Sequence, residues 1–103
     1  MTAERLAAEL ATALADAKAV DVRTYDVRGR SGVTDFFVVA TGAAAPHLKA
    51  LLKALPKAAR ISGDPSSGWV VGDYVDVVVH VFSPEARAYY QLEKLWTDRT
   101  DPT

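Results

Sequence analysis

The sequence contains no cysteine in 103 residues. That excludes a disulfide framework and any thiolate metal site, and it suits a reducing compartment. No apolar run approaches the roughly 18 residues that a membrane span needs. The opening Met1-Thr2-Ala3-Glu4-Arg5 lacks the basic start and apolar stretch of a secretory signal. A cytoplasmic protein without membrane contact is therefore expected. An excess of one charge is missing too. Twelve Lys and Arg stand against thirteen Asp and Glu, a formal net charge of −1. No global field would draw this chain onto nucleic acid or an anionic surface.

What is present is the composition of an ordinary globular domain, 50% apolar and 24% charged. We expect one domain over 1–103, with a loose tail at 98–103. Between Glu4 and Lys18, the recurrence of Leu6, Leu10, Leu14 and Ala17 marks an amphipathic helix. Asp21 to Val27 is β-prone, and Arg28-Gly29-Arg30-Ser31-Gly32 reads as a turn. Asp35 to Thr41 is apolar without alternation, as in a central strand covered on both faces. Pro46 suits the first position of a second helix. Its apolar face is Leu48, Leu51, Leu52 and Leu55, and Pro56 stops it.

Ala59 to Ile61 has the makings of a short strand, and Ser62 to Gly68 reads as a loop. Trp69–Tyr74 and Asp76–Phe82 read as two strands of a hairpin turning at Tyr74-Val75-Asp76. Ser83-Pro84-Glu85 signals a last helix, with Tyr89, Leu92, Leu95 and Trp96 on its apolar face. The order α-β-β-α-β-β-β-α predicts an α/β domain: a mixed sheet of about five strands with three main helices.

Few constellations in this chain carry chemistry. His47 and His80 have no second ligand at metal spacing, so no metal site is expected. The turn at 28–32 matches neither phosphate-binding fingerprint, and no G-x-S-x-G elbow occurs. Asp73 and Asp76 flank the hairpin. Nucleotidyl transfer, however, wants acids one residue apart plus a Gly-Ser pair, and neither is found. Lys49, Lys53 and Lys57 recur every four residues on helix two, either as a solvated face or as a contact to RNA phosphate. Trp69, Val71, Asp73, Tyr74 and Asp76 have the composition of a protein-binding hot spot, aromatics ringed by charge. Trp69 could equally cap the core.

Three blocks give the chain a family likeness. Thr34-Asp35-Phe36-Phe37-Val38-Val39-Ala40-Thr41-Gly42 resembles the T-D-Y/F-F-V-I-A-T-G segment of the Iojap-like ribosomal silencing factors. Trp69-Val70-Val71-Gly72-Asp73-Tyr74-Val75-Asp76-Val77-Val78-Val79-His80-Val81-Phe82 is similar to their W-V-L-L-D-Y-G-D-V-V-V-H-V-F. Pro84-Glu85-Ala86-Arg87 and Tyr90-Gln91-Leu92-Glu93-Lys94-Leu95-Trp96 resemble their closing P-E-A-R and Y-x-L-E-x-L-W. The likeness spans roughly Glu4 to Asp98.

The resemblance implies a nucleotidyltransferase-like topology without the catalytic set, and a non-enzymatic role with no cofactor. It implies binding to ribosomal protein fourteen of the large subunit, exclusion of the small subunit and lowered translation, with homodimers also known in the family. On that reading Trp69, Val71, Asp73, Tyr74 and Asp76 form the partner face, and Lys49 and Lys53 are placed for RNA. The alternatives are a nucleotidyltransferase-like enzyme using Asp73 and Asp76, an RNA-binding module, or a dimeric interaction module. Val75 stands where the family has glycine, which predicts backbone strain at the turn. Pro46 and Ala43-Ala44-Ala45 also depart from the family pattern, and the stretch before Trp69 is short for it.

Overall fold

The computed structural model describes residues 2–29, 34–56 and 60–91. Its elements run α1 (Ala3–Asp16), β1 (Val20–Asp26), β2 (Phe36–Thr41), α2 (Ala45–Ala54), β3 (Arg60–Asp64), a 3-10 turn (Pro65–Ser67), β4 (Trp69–Asp73), β5 (Val77–Phe82) and α3 (Pro84–Tyr90). This is the predicted order, a mixed five-stranded sheet with three helices. The strands lie in the order β1-β2-β5-β4-β3. Strands β2 and β5 are parallel; the other neighbours are antiparallel.

Helix α1 starts where the Thr2 side chain accepts from the Arg5 N–H at 3.1 Å. Its period buries Ala7, Leu10 and Leu14. Helix α2 begins at Ala45, one residue before the expected Pro46, and buries Leu48 and Leu51. Both helices lie on one face of the sheet, against Phe36, Val38, Ala40, Val70, Val77, Val79 and Val81. Each fully buried leucine there contributes about 1.5–3 kcal/mol by leaving water. Gly42 lets α2 come this close. A Cβ there would meet Leu48 Cδ2 at 2.7 Å.

The stretch read as a loop from Ser62 is partly strand. Strand β3 continues to Asp64 because it ladders onto β4, from Arg60 opposite Asp73 to Asp64 opposite Trp69. Gly63 follows at φ +90, where a Cβ would lie 2.4 Å from the Trp69 carbonyl oxygen. Only glycine fits that approach. Turn chemistry resumes as predicted at Pro65–Ser67, closed by left-handed Gly68.

Helix α3 starts as predicted, with the Ser83 side chain accepting from the Ala86 N–H at 3.1 Å. Leu92, Leu95, Trp96 and the tail at 98–103 lie outside the described residues, as do Ala59, Lys57 and 30–32 of the turn. Tyr89, expected on the apolar face, is instead 80% exposed. Tyr90, itself 49% exposed, is the one that lies against Trp69 and Phe82. Strand β2 is buried on both faces, as expected, with only Phe37 half-buried.

Candidate docking face

Side chains two residues apart on a strand share a face of the sheet. The register therefore lays out three rows opposite α1 and α2. One runs Tyr25, Phe37, Val78, Asp73. The next runs Val39, His80, Val71, and the third Thr41, Phe82, Trp69. Among the described residues, α3 covers only one end of this face, where Ala86 joins Val39 and Phe82 with Tyr25 and Trp69 alongside.

Trp69 is half-buried, and its surroundings fix it. The ring lies 4.7 Å from Tyr90, 5.0 Å from Phe82 and 6.0 Å from His80, centroid to centroid. Its indole N–H donates to His80 Nδ1 at 3.2 Å. An accepting Nδ1 places the imidazole proton on Nε2. That nitrogen is buried and has no hydrogen-bond partner. Burial pushes the His80 pKa down to about 4. His80 is thus a neutral core histidine that orients a tryptophan. His47, by contrast, has both ring nitrogens bonded: Nδ1 accepts from the Ala43 N–H and Nε2 donates to the Ala17 carbonyl, each at 3.0 Å. It ties α2 to the end of α1.

The residues grouped at sequence level separate into two sets. Trp69, Val71 and Asp73 share the face opposite α1 and α2. Tyr74 follows at odd spacing and turns to the helix side, packing against the core there. Its hydroxyl donates to the Pro56 carbonyl, and burial raises its pKa. Tyr74 and Trp69 therefore do not form one aromatic patch. Lys49 and Lys53 are exposed on α2, on the opposite side of the sheet from Trp69.

Asp73 also has a structural task. Its Oδ1 accepts from the Val75 N–H at 2.7 Å. The Asp76 N–H bonds to the Tyr74 carbonyl at 2.9 Å, closing a three-residue turn with Val75 at its centre, at φ +74. This is the strained γ-turn of positive φ, on the β-branched residue that replaces the family's glycine. Asp76 is exposed, and its carbonyl accepts from the N–H groups of Asp35 and Phe36. Among the described residues, no three His, Asp or Glu side chains converge as a metal site would need.

The surface so built is a shallow sheet face with one braced tryptophan and acids along its hairpin end. Sequence reading missed Tyr25, Phe37 and Tyr90 as members of it. The unbroken apolar run of β2 gave no signal for Phe37; Tyr25 needed the strand order and Tyr90 the placement of α3.

The family model described as ribosomal silencing factor during starvation matches residues 1–103. The chain belongs to the ribosomal silencing factor family. A ribosomal silencing factor of Halalkalibacterium halodurans is 39% identical over 94 residues, covering 84% of this chain and 80% of that protein. The mouse protein named mitochondrial assembly of ribosomal large subunit protein 1 is 31% identical over 88% of this chain and 45% of its own length. A crystal structure of a Chromobacterium violaceum protein superposes with a TM-score of 0.86 at 32% identity, covering 94% of this chain and 88% of that one. The family likeness drawn from the three sequence blocks is thereby established, and with it the fold.

Proposed function

We propose that the chain docks on the large ribosomal subunit through the Trp69 side of its sheet, opposite α1 and α2, and keeps the small subunit off. The observation that carries this reading is Trp69: braced by Phe82, Tyr90 and His80, half-exposed, and in line with half-buried Val71 and Asp73 on one side of β4. Family membership supplies the ribosome, and the mouse relative's name points to the large subunit. The partner we favour is ribosomal protein fourteen. Trp69 and Val71 serve as apolar anchors, and Asp73 and Asp76 meet basic residues on that protein. Tyr74 acts indirectly, by holding the hairpin.

Exclusion needs no chemistry. The protein measures 39 × 32 × 21 Å. Even its thinnest dimension far exceeds the roughly 4 Å separation of contacting surfaces. Any subunit interface it occupies is held apart. Lys49 and Lys53, on the far side of the sheet, are free to meet ribosomal RNA around the docking site. The same sheet face would also serve a homodimer, which would then compete with the ribosome.

Co-sedimentation with isolated large and small subunits tests the reading. Binding to large subunits alone is expected, and subunit joining should fall as the protein is added. Asp76→Lys should weaken binding about tenfold or more through charge reversal. Equal binding to both subunits, or to neither, refutes the proposal.

A further inference from the structure

We infer that Arg87 is a positioning residue for the docking face: by fastening α3 to the start of β1, it holds Tyr90 against Trp69. This rests on the docking reading above. The Arg87 side chain is only 12% exposed. Its Nη1 donates to the Asp21 carbonyl at 2.8 Å and to Thr41 Oγ1 at 2.7 Å. Its Nη2 lies 3.6 Å from the Asp21 carboxylate. One guanidinium therefore joins three elements: β1, β2 and α3.

Strand β1 is shaped to meet it. Its register on β2 shifts between Val20 and Arg23. Asp21, at that irregularity, has φ +52. Aspartate tolerates this region better than most residues. The irregularity leaves the Asp21 carbonyl bonded to Arg87. Arg23 braces the Asp21 carboxylate from the other side at 2.9 Å.

Helix α3 needs such a tether. It has seven residues and buries Ala86 alone, far below the length at which a helix persists by itself. The Ser83 cap fixes its start, but Tyr90 lies two turns further on. Arg87 and Tyr90 are three apart and so project to one side of the helix. Pinning the guanidinium fixes the azimuth of the Tyr90 ring, which lies 4.7 Å from Trp69. A lysine could reach one acceptor; it could not hold three at fixed angles.

The test uses the full chain carrying Arg87→Met, Arg87→Lys, Tyr90→Ala, or Arg87→Met with Tyr90→Ala. Three quantities are read: affinity for isolated large ribosomal subunits, melting temperature, and the Trp69 indole N–H resonance. Arg87→Met should weaken binding about tenfold, within the coupling range of residues in contact, and should shift the indole resonance. Arg87→Lys should fall between it and wild type. Adding Tyr90→Ala to Arg87→Met should weaken binding little further, since both act through Trp69. Full affinity with a lowered melting temperature would make Arg87 structural only and overturn the inference, as would additive losses. If Arg87→Met does not fold, the lysine variant decides by the same criteria. If wild type itself fails to bind, the docking reading falls, and the indole shift alone decides whether Arg87 sets the tryptophan.

Discussion

Acidifying the solution from pH 7 to pH 5 should destabilise this fold through His80. The folded state holds that imidazole neutral, with its pKa near 4, while the unfolded chain titrates near 6.5. Between those values the unfolded state binds more protons, so stability rises with pH and is lost as pH falls. Above 6.5 neither state is protonated and the histidine contributes no slope. At pH 5 the difference amounts to about 2 kcal/mol, and at pH 4 to about 3 kcal/mol. That is a large share of the 5–15 kcal/mol that holds typical domains together. The structural cause is specific. A protonated His80 would turn Nδ1 from acceptor to donor, opposing the Trp69 indole N–H that now bonds to it. Urea unfolding at pH 7, 6 and 5 measures the effect, and the midpoint should drop by about 1 M over that range. His80→Gln should remove most of the slope, which isolates His80 from His47 and every other titrating group. A His80→Gln variant with the same slope as wild type would refute the reasoning, as would a His80 resonance titrating near 6.5.

Two further perturbations probe the backbone that shapes the face. Val75→Gly should stabilise the protein by about 0.5–1 kcal/mol: relief of left-handed strain is worth about 1–2 kcal/mol, less glycine's extra freedom in the unfolded chain. Thermal unfolding would show it as a rise of a few degrees, whereas a lower melting temperature would mean that the γ-turn is not strained. Gly63→Ala should cost about 2 kcal/mol or more, since its Cβ would clash with the Trp69 carbonyl at a φ that disfavours side chains. Loss of large-subunit binding should accompany it as the β3–β4 ladder shifts.

Much of the architecture was legible because local signals agreed with the fold. Leucine spacing located α1 and α2, and Ser83-Pro84-Glu85 placed the start of α3. The hairpin showed through two β-prone runs, Trp69–Tyr74 and Asp76–Phe82, with Val75 alone between them. Strand β3 was not fully readable, because Ser62-Gly63-Asp64 carries loop chemistry and becomes strand only through pairing with β4. The composition of the site was legible, but its geometry was only half so. Parity along β4 puts Trp69, Val71 and Asp73 on one face and Tyr74 on the other, a rule available from the sequence. The contributions of Tyr25, Phe37 and His80 depend on β2 lying parallel to β5, a contact some 40 residues distant that no local pattern announces.

On the docking reading proposed above, the bracing of Trp69 sets what kind of anchor it would be. A fully exposed tryptophan would gain most from the area buried on docking, and would also lose side-chain freedom there. Here Phe82, Tyr90 and His80 have already removed that freedom. Less new area is buried, but less ordering cost remains, so affinity should depend on how the ring is held as well as on its presence. Trp69→Phe separates the two. Phenylalanine keeps much of the stacking but cannot donate to His80, leaving a buried imidazole with neither nitrogen bonded. Such an orphaned group costs about 1–3 kcal/mol of stability. If orientation matters, Trp69→Phe should lose about tenfold in affinity for large subunits at a temperature where it is still fully folded. Affinity equal to wild type would show that any aromatic ring suffices and that the His80 bond serves the core alone.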